Sequence, residues 1–354
     1  MAGYSESATD RRFNYEDLRD TVAAVFAATG MRAPDARLLA TTLAWADVRG
    51  IHSHGVLRTG DYLHKLTAGG VDPRGVPFIA SERPAAIVVD GANAMGQIAC
   101  GFAMDRAVGK ARSAGVAVAA VRGSNHCGAL AWFAMQAIEH NMIGIAATNA
   151  LPTMAPWGGL DKIVGINPLA IALPAAGESP LVLDCAFSYS SHGKIRVFHQ
   201  KGDPIPPTWA FDREGHPTTD AAEALEGLLQ PIGEYKGVGL AILFGLLSTA
   251  LSGAGYGTEL GNMTDGPHPG ADGQFLAAID IEAFTTRTEF TARVDRAIRQ
   301  IRDSRRAPGV GALYAPGGVE AEIEARHRRD GIPLNAATVE TVNQAAARMG
   351  VPGL

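Results

Sequence analysis

The sequence predicts an α/β protein in which a helical domain built from both chain ends holds a central strand-rich domain. Residues 14–69 show helical periodicity, the middle of the chain has short apolar runs ended by turn residues, and helical segments return near the C-terminus. A chain of 354 residues is long enough for two domains. We expect the helical domain to comprise residues 1–76, about 225–274 and 290–354, and the α/β domain to comprise about 77–224 plus 275–289.

Helices account for the start of the chain. Asn14 can cap a first helix that Gly30 ends, and its apolar positions recur at helical spacing. Pro34 suits the first turn of a second helix, which Gly50 closes. A third, short helix is predicted over residues 58–68.

Apolar, partly β-branched runs bounded by Gly, Asn, Asp or Pro predict strands in the central domain. These runs cover residues 85–89, 116–121, 142–147, 169–173, 181–183 and 275–281. Further helices are predicted at residues 99–113, 129–140, 289–304, 320–328 and 336–349.

Composition excludes some classes of protein. Hydrophobic residues make up 47% of the chain, which is not the composition of a disordered protein. The 31 basic and 36 acidic residues are interleaved and give a net charge of −5, so no basic face predicts nucleic acid as a partner.

The cellular setting is inferred from cysteine usage and the N-terminus. Cys100, Cys127 and Cys185 are too few for a disulfide framework or a paired-cysteine zinc cluster, which favours a reducing compartment. Residues 1–12 lack an apolar stretch, so we expect no secretory signal and a cytoplasmic protein. Residues 237–255 are uncharged and nearly long enough to span a membrane, but their glycines and hydroxyl residues favour a buried core helix, and we expect no membrane association.

Glycine motifs that bind dinucleotide phosphates are missing. No Gly-x-Gly-x-x-Gly string lies between a predicted strand and helix, and the closest string, at residues 253–257, has the wrong spacing and follows a helix. A Rossmann phosphate turn is therefore not supported.

His54 is the first candidate for acid–base chemistry. It lies between Ser53 and Gly55, with Arg58 four residues further on. An imidazole can transfer a proton while a guanidinium holds a substrate carboxylate with two hydrogen bonds. The alternative is a loop histidine that bonds to the backbone.

His126 lies in the string Ser-Asn-His-Cys-Gly between a predicted strand and helix. Such loops collect anionic ligands because free amides point outward at a helix N-terminus. Ligand contact and a structural hydrogen bond are equally compatible with this string. A metal site formed with His52 and His54 is disfavoured because no carboxylate accompanies them, so we expect no metal. We interpret Cys127 as an inert thiol rather than as a nucleophile.

Asp184 ends the apolar run 181–183. An acid at the end of a strand can orient an imidazole or stabilise its cation. The alternative interpretation is a helix or turn cap.

Taken together, the strings resemble the malate/L-lactate dehydrogenases of the second type, a family distinct from the Rossmann-fold lactate and malate dehydrogenases. The family also includes ureidoglycolate, sulfolactate and diketogulonate oxidoreductases and the reductases of piperideine- and pyrroline-2-carboxylate. The matching strings occur in the family's order between about residues 15 and 320. They are RGIHSHGVLR at 49–58, SNHCG at 124–128, TN at 148–149, PWGG at 156–159, GINP at 165–168, LD at 183–184, GK at 193–194 and YKGVGL at 235–240.

The resemblance implies a non-Rossmann NAD(P)-binding domain with a largely antiparallel sheet, a helical partner domain and a homodimer. It implies that His54 donates the proton to a carbonyl or imine, that Ser53 and Asp184 assist it in a relay, and that Arg58 anchors the substrate carboxylate, with Arg49 as the next candidate. The expected contacts to NAD or NADP are His126, Gly128, Ala129, Leu130, Thr148, Asp184, Cys185, Ala186, Phe187, Ser188, Lys194, Pro316, Gly317 and Gly318.

Two departures from the family pattern bear on this site. Residues 316–320 read Pro-Gly-Gly-Val-Glu where the family usually has Pro-Gly-Glu followed by a charged residue, and Cys127 stands where an aromatic residue is common. The expected activity is hydride transfer between NAD(P)H and C2 of a small 2-oxo or 2-hydroxy acid such as malate or lactate. The alternatives are a cyclic-imine reductase, a non-catalytic binding protein of the same fold and a zinc hydrolase.

Overall fold

The computed structural model describes Ser7 and residues 9–354, with Gln200 described by its backbone alone. The N-terminal segment that bears on a secretory signal therefore lies, at residues 1–6 and 8, outside the described residues.

Helices and strands alternate through most of the described chain. The helices are α1 Tyr15–Ala27, α2 Ala33–Val48, α3 Thr59–Ala68, α4 Gly96–Ala114, α5 Ala131–Ile138, α6 His192–Lys201, α7 Ala221–Glu226, α8 Tyr235–Thr249, α9 Arg287–Arg302, α10 Gly318–Asp330 and α11 Ala336–Met349. The strands are β1 Arg11–Phe13, β2 Phe78–Arg83, β3 Ala86–Asp90, β4 Val116–Ser124, β5 Met142–Thr148, β6 Pro152–Met154, β7 Val164–Gly165, β8 Leu169–Leu173, β9 Leu181–Cys185, β10 Ala210–Phe211, β11 Leu228–Leu229, β12 Asp272–Asp280 and β13 Ile332–Leu334.

A seven-stranded sheet forms the centre of the molecule. Its strand order is β2-β3-β4-β12-β5-β8-β9, and every neighbouring pair is antiparallel except β3 and β4. The predicted mixed α/β fold with a largely antiparallel sheet is therefore confirmed. All six predicted strands are present, whereas the edge strand β2 was missed because most of its side chains are exposed and show no alternation.

Helices cover both faces of this sheet. Side chains alternate between the faces of a strand, so Leu276 and Phe275 of β12 point in opposite directions. Leu276 belongs to the core cluster that contains α4 and α5, whereas Phe275 packs against the cluster that contains Ala241 of α8. The sheet is thus the middle layer of three.

Helix α8 differs from its prediction. Its small residues pack on the sheet, and Ala241 and Gly245 are buried, but Leu243 is 61% exposed and Leu240 and Leu246 are also exposed. The helix is therefore buried on one face rather than all round. It was grouped with the helical domain, yet it contacts β4, β5 and β12. No helix of the described residues is long and apolar enough to cross a bilayer.

Both chain ends meet in a separate helical layer. Helix α11 contacts α1 and α3, and β13 pairs with β1. The predicted capping of α1 is confirmed, since the Asn14 side chain accepts hydrogen bonds from the amides of Glu16 and Asp17. Contacts of α2 with α4, and of Trp45 with Trp132 of α5 at 5.4 Å between ring centroids, join this layer to the sheet.

Candidate active site

Most of the predicted site residues converge on one end of the sheet. Ser124 at the end of β4 pairs with Asp272 at the start of β12, and Leu169 at the start of β8 pairs with Cys185 at the end of β9. Thr148 ends β5 between them and pairs with β12. The loops that carry His126 and Asp184 therefore leave the sheet at the same end of its strands. This end of the strands, which is not the outer strand β2 or β9, is called the sheet edge below.

A buried carboxylate shapes the loop at residues 51–58. Asp47, only 1% exposed near the end of α2, lies 2.7 Å from Nδ1 of His52 through one oxygen and accepts a 2.6 Å hydrogen bond from the Val56 amide through the other. A Cβ on Gly55 would overlap the Asp47 carboxylate. The glycine next to His54 is therefore required for close approach of the backbone to Asp47.

This loop presents Ser53, His54 and Arg58 together. Ser53 Oγ lies 2.9 Å from Nδ1 of His54, and Nε of Arg58 donates a 2.8 Å hydrogen bond to the Ser53 carbonyl. Arg58 also donates to Asp61 at 3.0 Å. The half-buried His54 ring is desolvated and lies close to the Arg58 charge, and these two effects lower its pKa to about 4. His54 is therefore neutral at pH 7.

The sheet places His126 against His54. The two rings stack with centroids 5.7 Å apart and an interplanar angle of 12°. Tyr62 of α3 is bonded through its hydroxyl to Nδ1 of His126 at 2.7 Å, and Gln97 of α4 donates to the same hydroxyl at 3.1 Å. Desolvation first, and then the charges of His54 and Arg58, hold the pKa of His126 well below its usual range.

Asp184 adopts the capping role that the sequence left open. Its carboxylate accepts a 2.8 Å hydrogen bond from the amide of Ala131, the first residue of α5. The amide of Ala131 is therefore not free for an anionic ligand. Asp184 makes no hydrogen bond to Ser53 or His54. Although the residue reaches solvent, protein around its carboxylate raises its pKa to about 6, with a smaller contribution from the charge of Glu320.

Other predicted cofactor residues lie along the same edge, and several are already bonded within the protein. The Thr148 hydroxyl bonds the carbonyls of Asn149 and Gly273 at 3.0 and 3.1 Å. Phe187 is buried and stacks on Phe244 of α8, whereas Ser188 is buried and donates to the Ser190 carbonyl at 2.6 Å. The remaining ones are Gly128, Cys185 and Ala186, partly accessible, and Ala129 and Leu130, buried at the start of α5.

The late loop also reaches this region. Pro316 accepts a 3.0 Å hydrogen bond from the Val182 amide, and Gly317, with a positive φ of 85°, packs against Val182 just before Gly318 begins α10. The loop therefore runs beside β9 and contacts Val182, which precedes Asp184 by two residues. Lys194 lies further along α6, with Nζ 4.4 Å from the centroid of the Trp209 ring.

Arg49 has the surroundings of a structural residue. Its side chain is buried, donates to Glu324 of α10 at 2.6 Å and lies over the Trp45 ring at 5.1 Å. The second candidate for the substrate carboxylate is therefore occupied by an internal ion pair.

Sequence reasoning missed Asp47, Tyr62 and Gln97. Each lies on a helix at a position that local patterns assign to packing, and their partners lie between 5 and 64 residues away. No local signal marks such a residue. Among the described residues, no group of three or more His, Cys, Asp or Glu side chains is placed to hold a metal ion.

The raised pKa of Asp184 predicts a characteristic pH dependence of stability. The folded protein binds a proton at Asp184 more tightly than the unfolded chain, so this residue lowers the free energy of unfolding as the pH rises from about 4 to about 6. Asp184→Asn removes this loss while its amide oxygen can still accept from Ala131. We expect the variant to gain stability relative to the parent between pH 4 and pH 7, measured by urea denaturation.

Asp295 provides the matched control. Its pKa is lowered, chiefly by the hydrogen bond from the Gly177 amide. Asp295→Asn should therefore lose stability relative to the parent as the pH rises from the folded pKa of Asp295 to its unfolded value of about 4, and the difference should then stay constant up to pH 7, where Asp184→Asn still changes. Parallel curves for Asp184→Asn and the parent protein would contradict the assignment.

Comparison with known proteins places this geometry in a family. The family model described as malate/L-lactate dehydrogenase matches residues 13–343. The chain is 35% identical to the malate dehydrogenase of Pyrococcus abyssi over 351 residues, covering 97% of this chain and 96% of that protein. It is 32% identical to a delta(1)-pyrroline-2-carboxylate/delta(1)-piperideine-2-carboxylate reductase of Pseudomonas syringae pv. tomato, covering 94% of this chain and 96% of that protein.

Solved structures agree with the sequence comparisons. The sulfolactate dehydrogenase of Methanocaldococcus jannaschii superimposes with a TM-score of 0.90 at 34% identity, covering 96% of this chain and 98% of the other. A family match over nearly the whole chain and a shared fold at this identity lead to one conclusion. The chain belongs to the malate/L-lactate dehydrogenase family and is an oxidoreductase.

Proposed function

We propose that this protein transfers hydride between the nicotinamide of NAD or NADP and C2 of a small 2-oxo or 2-hydroxy acid such as malate or lactate. The observation that carries the proposal is the joint placement of His54, Ser53 and Arg58 on one loop that faces His126 at the sheet edge. These residues supply a proton-transfer group and a carboxylate-binding group side by side. The names of the relatives support the same class of reaction.

The sheet edge suits a dinucleotide that is bound without a Rossmann turn. The described sheet has one parallel pair, β3 and β4, whereas a Rossmann domain needs a mostly parallel sheet. Close to residues 184–188, the buried Ser190 hydroxyl and the Nε2 atom of His192 have no hydrogen-bond partner in the described chain. Unpaired polar groups beside an open edge are consistent with a polar ligand. We propose that the loops at 126–130, 184–188 and 316–318, with Thr148 and Lys194, hold NAD or NADP there.

His54 is the group we assign to proton transfer. A bound reduced nicotinamide supplies the hydride. For oxidation of a 2-hydroxy acid, the neutral imidazole of the free protein is the base that the reaction requires, since its pKa is about 4. For reduction, His54 must deliver a proton. Desolvation, and after it the charge of Arg58, lower the pKa of His54. A substrate carboxylate on Arg58 offsets the second of these effects and so favours the protonated form.

The relay with Asp184 remains part of this proposal. Ser53 already contacts His54, whereas Asp184 contacts the start of α5.

We also propose the division into a helical domain and an NAD(P)-binding domain. We further propose a cytoplasmic location, which is supported by the three unpaired cysteines. A cyclic-imine reductase is the second candidate function, because the Pseudomonas syringae relative with that name is 32% identical over 94% of this chain.

The function is tested by following NADH and NADPH oxidation with a panel of 2-oxo acids and cyclic imines. For the active pair, we expect His54→Ala to lower kcat about 100-fold or more, since a general acid–base group is lost, with little change in cofactor affinity. His216→Ala, at an exposed position away from the site, is the control and should retain activity. Turnover of His54→Ala near that of the parent would remove His54 from the mechanism.

Arg58→Lys tests the carboxylate site. Lysine keeps the charge but loses the planar pair of donors. The variant should therefore lose roughly 1–3 kcal/mol of binding free energy, which lowers kcat/KM about 5- to 150-fold. Cofactor binding, followed by the fluorescence of bound NAD(P)H, should be unchanged. The control is Arg302→Lys, which loses a similar guanidinium contact to Glu178 at the surface. Unchanged kinetics in Arg58→Lys would mean that the carboxylate is held by another group.

We further propose a homodimer in which α8 lies at the interface. Leu240, Leu243 and Leu246 form an exposed apolar stripe on this helix. Beside it is a groove of about 220 Å³ lined by Ile163, Ile242 and Tyr256, among others. Contiguous exposed apolar surface of this kind is typical of protein interfaces.

Leu243→Glu tests the interface. A charge at its centre should shift the sedimentation coefficient towards the monomer, because burial of an unpaired carboxylate is unfavourable. Ile301→Glu on α9, where the isoleucine is 39% exposed, is the control and should sediment like the parent. A parent protein that is monomeric, or a Leu243→Glu variant that remains dimeric, would contradict the proposed interface.

A further inference from the structure

His126 has a defined set of neighbours around one ring nitrogen. Its Nδ1 lies 2.7 Å from the Tyr62 hydroxyl and accepts a 3.4 Å hydrogen bond from the Gly128 amide. The Tyr62 hydroxyl in turn lies 3.1 Å from the side-chain amide of Gln97. Tyr62 is 1% exposed and Gln97 is fully buried, so water does not compete for these bonds.

Two arrangements of protons satisfy the chain from Gln97 to His126. In the first, the Gln97 amide nitrogen donates to Tyr62, which donates to Nδ1 of His126. In the second, Gln97 is rotated, Tyr62 donates to its oxygen, and Nδ1–H of His126 donates to Tyr62. The Gly128 amide decides between them, because its N–H points at Nδ1 and can only donate. The first arrangement gives it an acceptor, whereas the second sets two N–H groups against each other.

The first arrangement leaves the proton of a neutral His126 on Nε2. No described residue hydrogen-bonds this atom, and the ring lies parallel to His54 at 5.7 Å. The two histidines are then unlike: His54 has a nitrogen free to exchange a proton, while His126 presents a fixed N–H donor. A preorganised donor beside the reacting oxygen stabilises the charge that develops on it.

We propose that Tyr62 and Gln97 are positioning residues that fix His126 as the Nε2–H tautomer, so that His126 donates a hydrogen bond to an acceptor oxygen of the bound substrate or nicotinamide amide. The tautomer follows from contacts within the chain, whereas the role towards a ligand rests on the proposed function. The titratable and charged groups that face this cluster are His54, Arg58, Asp61 and Cys127.

The tautomer is tested first, without cofactor or substrate. Two-dimensional NMR that correlates imidazole nitrogens with ring protons distinguishes a protonated from an unprotonated Nδ1. We expect His126 of the parent protein to carry its proton on Nε2 alone. In Tyr62→Phe the 2.7 Å contact is lost and only the 3.4 Å bond from the Gly128 amide still favours this form, so a measurable population of the Nδ1–H tautomer should appear. A parent protein with Nδ1–H would overturn the proposal even if Tyr62→Phe does not fold, and an unchanged spectrum of His126 in a folded Tyr62→Phe would do the same.

Kinetics test the consequence for the reaction. Tyr62→Phe should lower kcat about tenfold, as for one lost hydrogen bond, with a smaller change in KM. Without the Tyr62 donor, neutral His126 is less favoured, so its pKa rises and the acid limb of the pH profile should move to higher pH. Tyr15→Phe, which removes a hydroxyl elsewhere, is the control and should leave both unchanged. An unmoved acid limb and unchanged kcat in Tyr62→Phe would overturn the ligand role.

The two measurements separate this proposal from the proposed function. The NMR result stands or falls in the free protein. If the parent protein shows the Nε2–H tautomer but reduces none of the 2-oxo acids or cyclic imines, the proposed function fails while the positioning by Tyr62 and Gln97 holds.

Discussion

The buried Asp47 carboxylate is the interaction on which the site depends. It lies near the end of α2 in the helical layer and contacts both the His52 side chain and the Val56 amide. Without it, the Val56 amide would lose its hydrogen-bond acceptor and the chain between α2 and α3 would have no reason to turn where it does. Ser53 and His54 lie in a short 3₁₀ helix, His52–His54, and Arg58 in the next one, Val56–Arg58, and the two contacts of Asp47 hold these short helices against α2. Gly55 is the counterpart of Asp47, because only a residue without a side chain lets the loop reach the carboxylate.

The sheet supplies the other half of the site by its topology. Strands β4, β5 and β9 end at one edge, and the intervening β8 and β12 begin there, so loops distant in sequence open towards the same space. The stacked His54 and His126 rings mark the point where the loop shaped by Asp47 meets the sheet edge. Catalytic precision therefore depends on the packing of two layers rather than on a single motif.

Sequence patterns predicted the regular elements well and long-range pairing poorly. Helix α11 was predicted over residues 336–349 and spans Ala336–Met349, with the Asn335 side chain capping its start and Gly350 ending it in the left-handed conformation. In contrast, an uncharged run such as α8 carries no period from which a buried face can be distinguished from an exposed one. The strings around His54 and His126 predicted candidate site residues, but the bonds of Tyr62 to His126, of Gln97 to Tyr62 and of Asp47 to His52 depend on how helices pack. The same limitation explains Arg49, whose partner Glu324 lies 275 residues away.

The C-terminal helices have a consequence for when the enzyme becomes competent during synthesis. Helix α10 braces the end of α2 twice, through Glu324 on Arg49 at 2.6 Å and through His327, whose Nδ1 lies 3.3 Å from the Asp47 carbonyl. These contacts close loops of 275 and 280 residues, so they form only after nearly the whole polypeptide has left the ribosome. A nascent chain that has already folded its sheet still lacks the support of the loop at residues 51–58. Premature termination before α10 would therefore yield a folded sheet beside an unbraced candidate site, whatever its secondary structure.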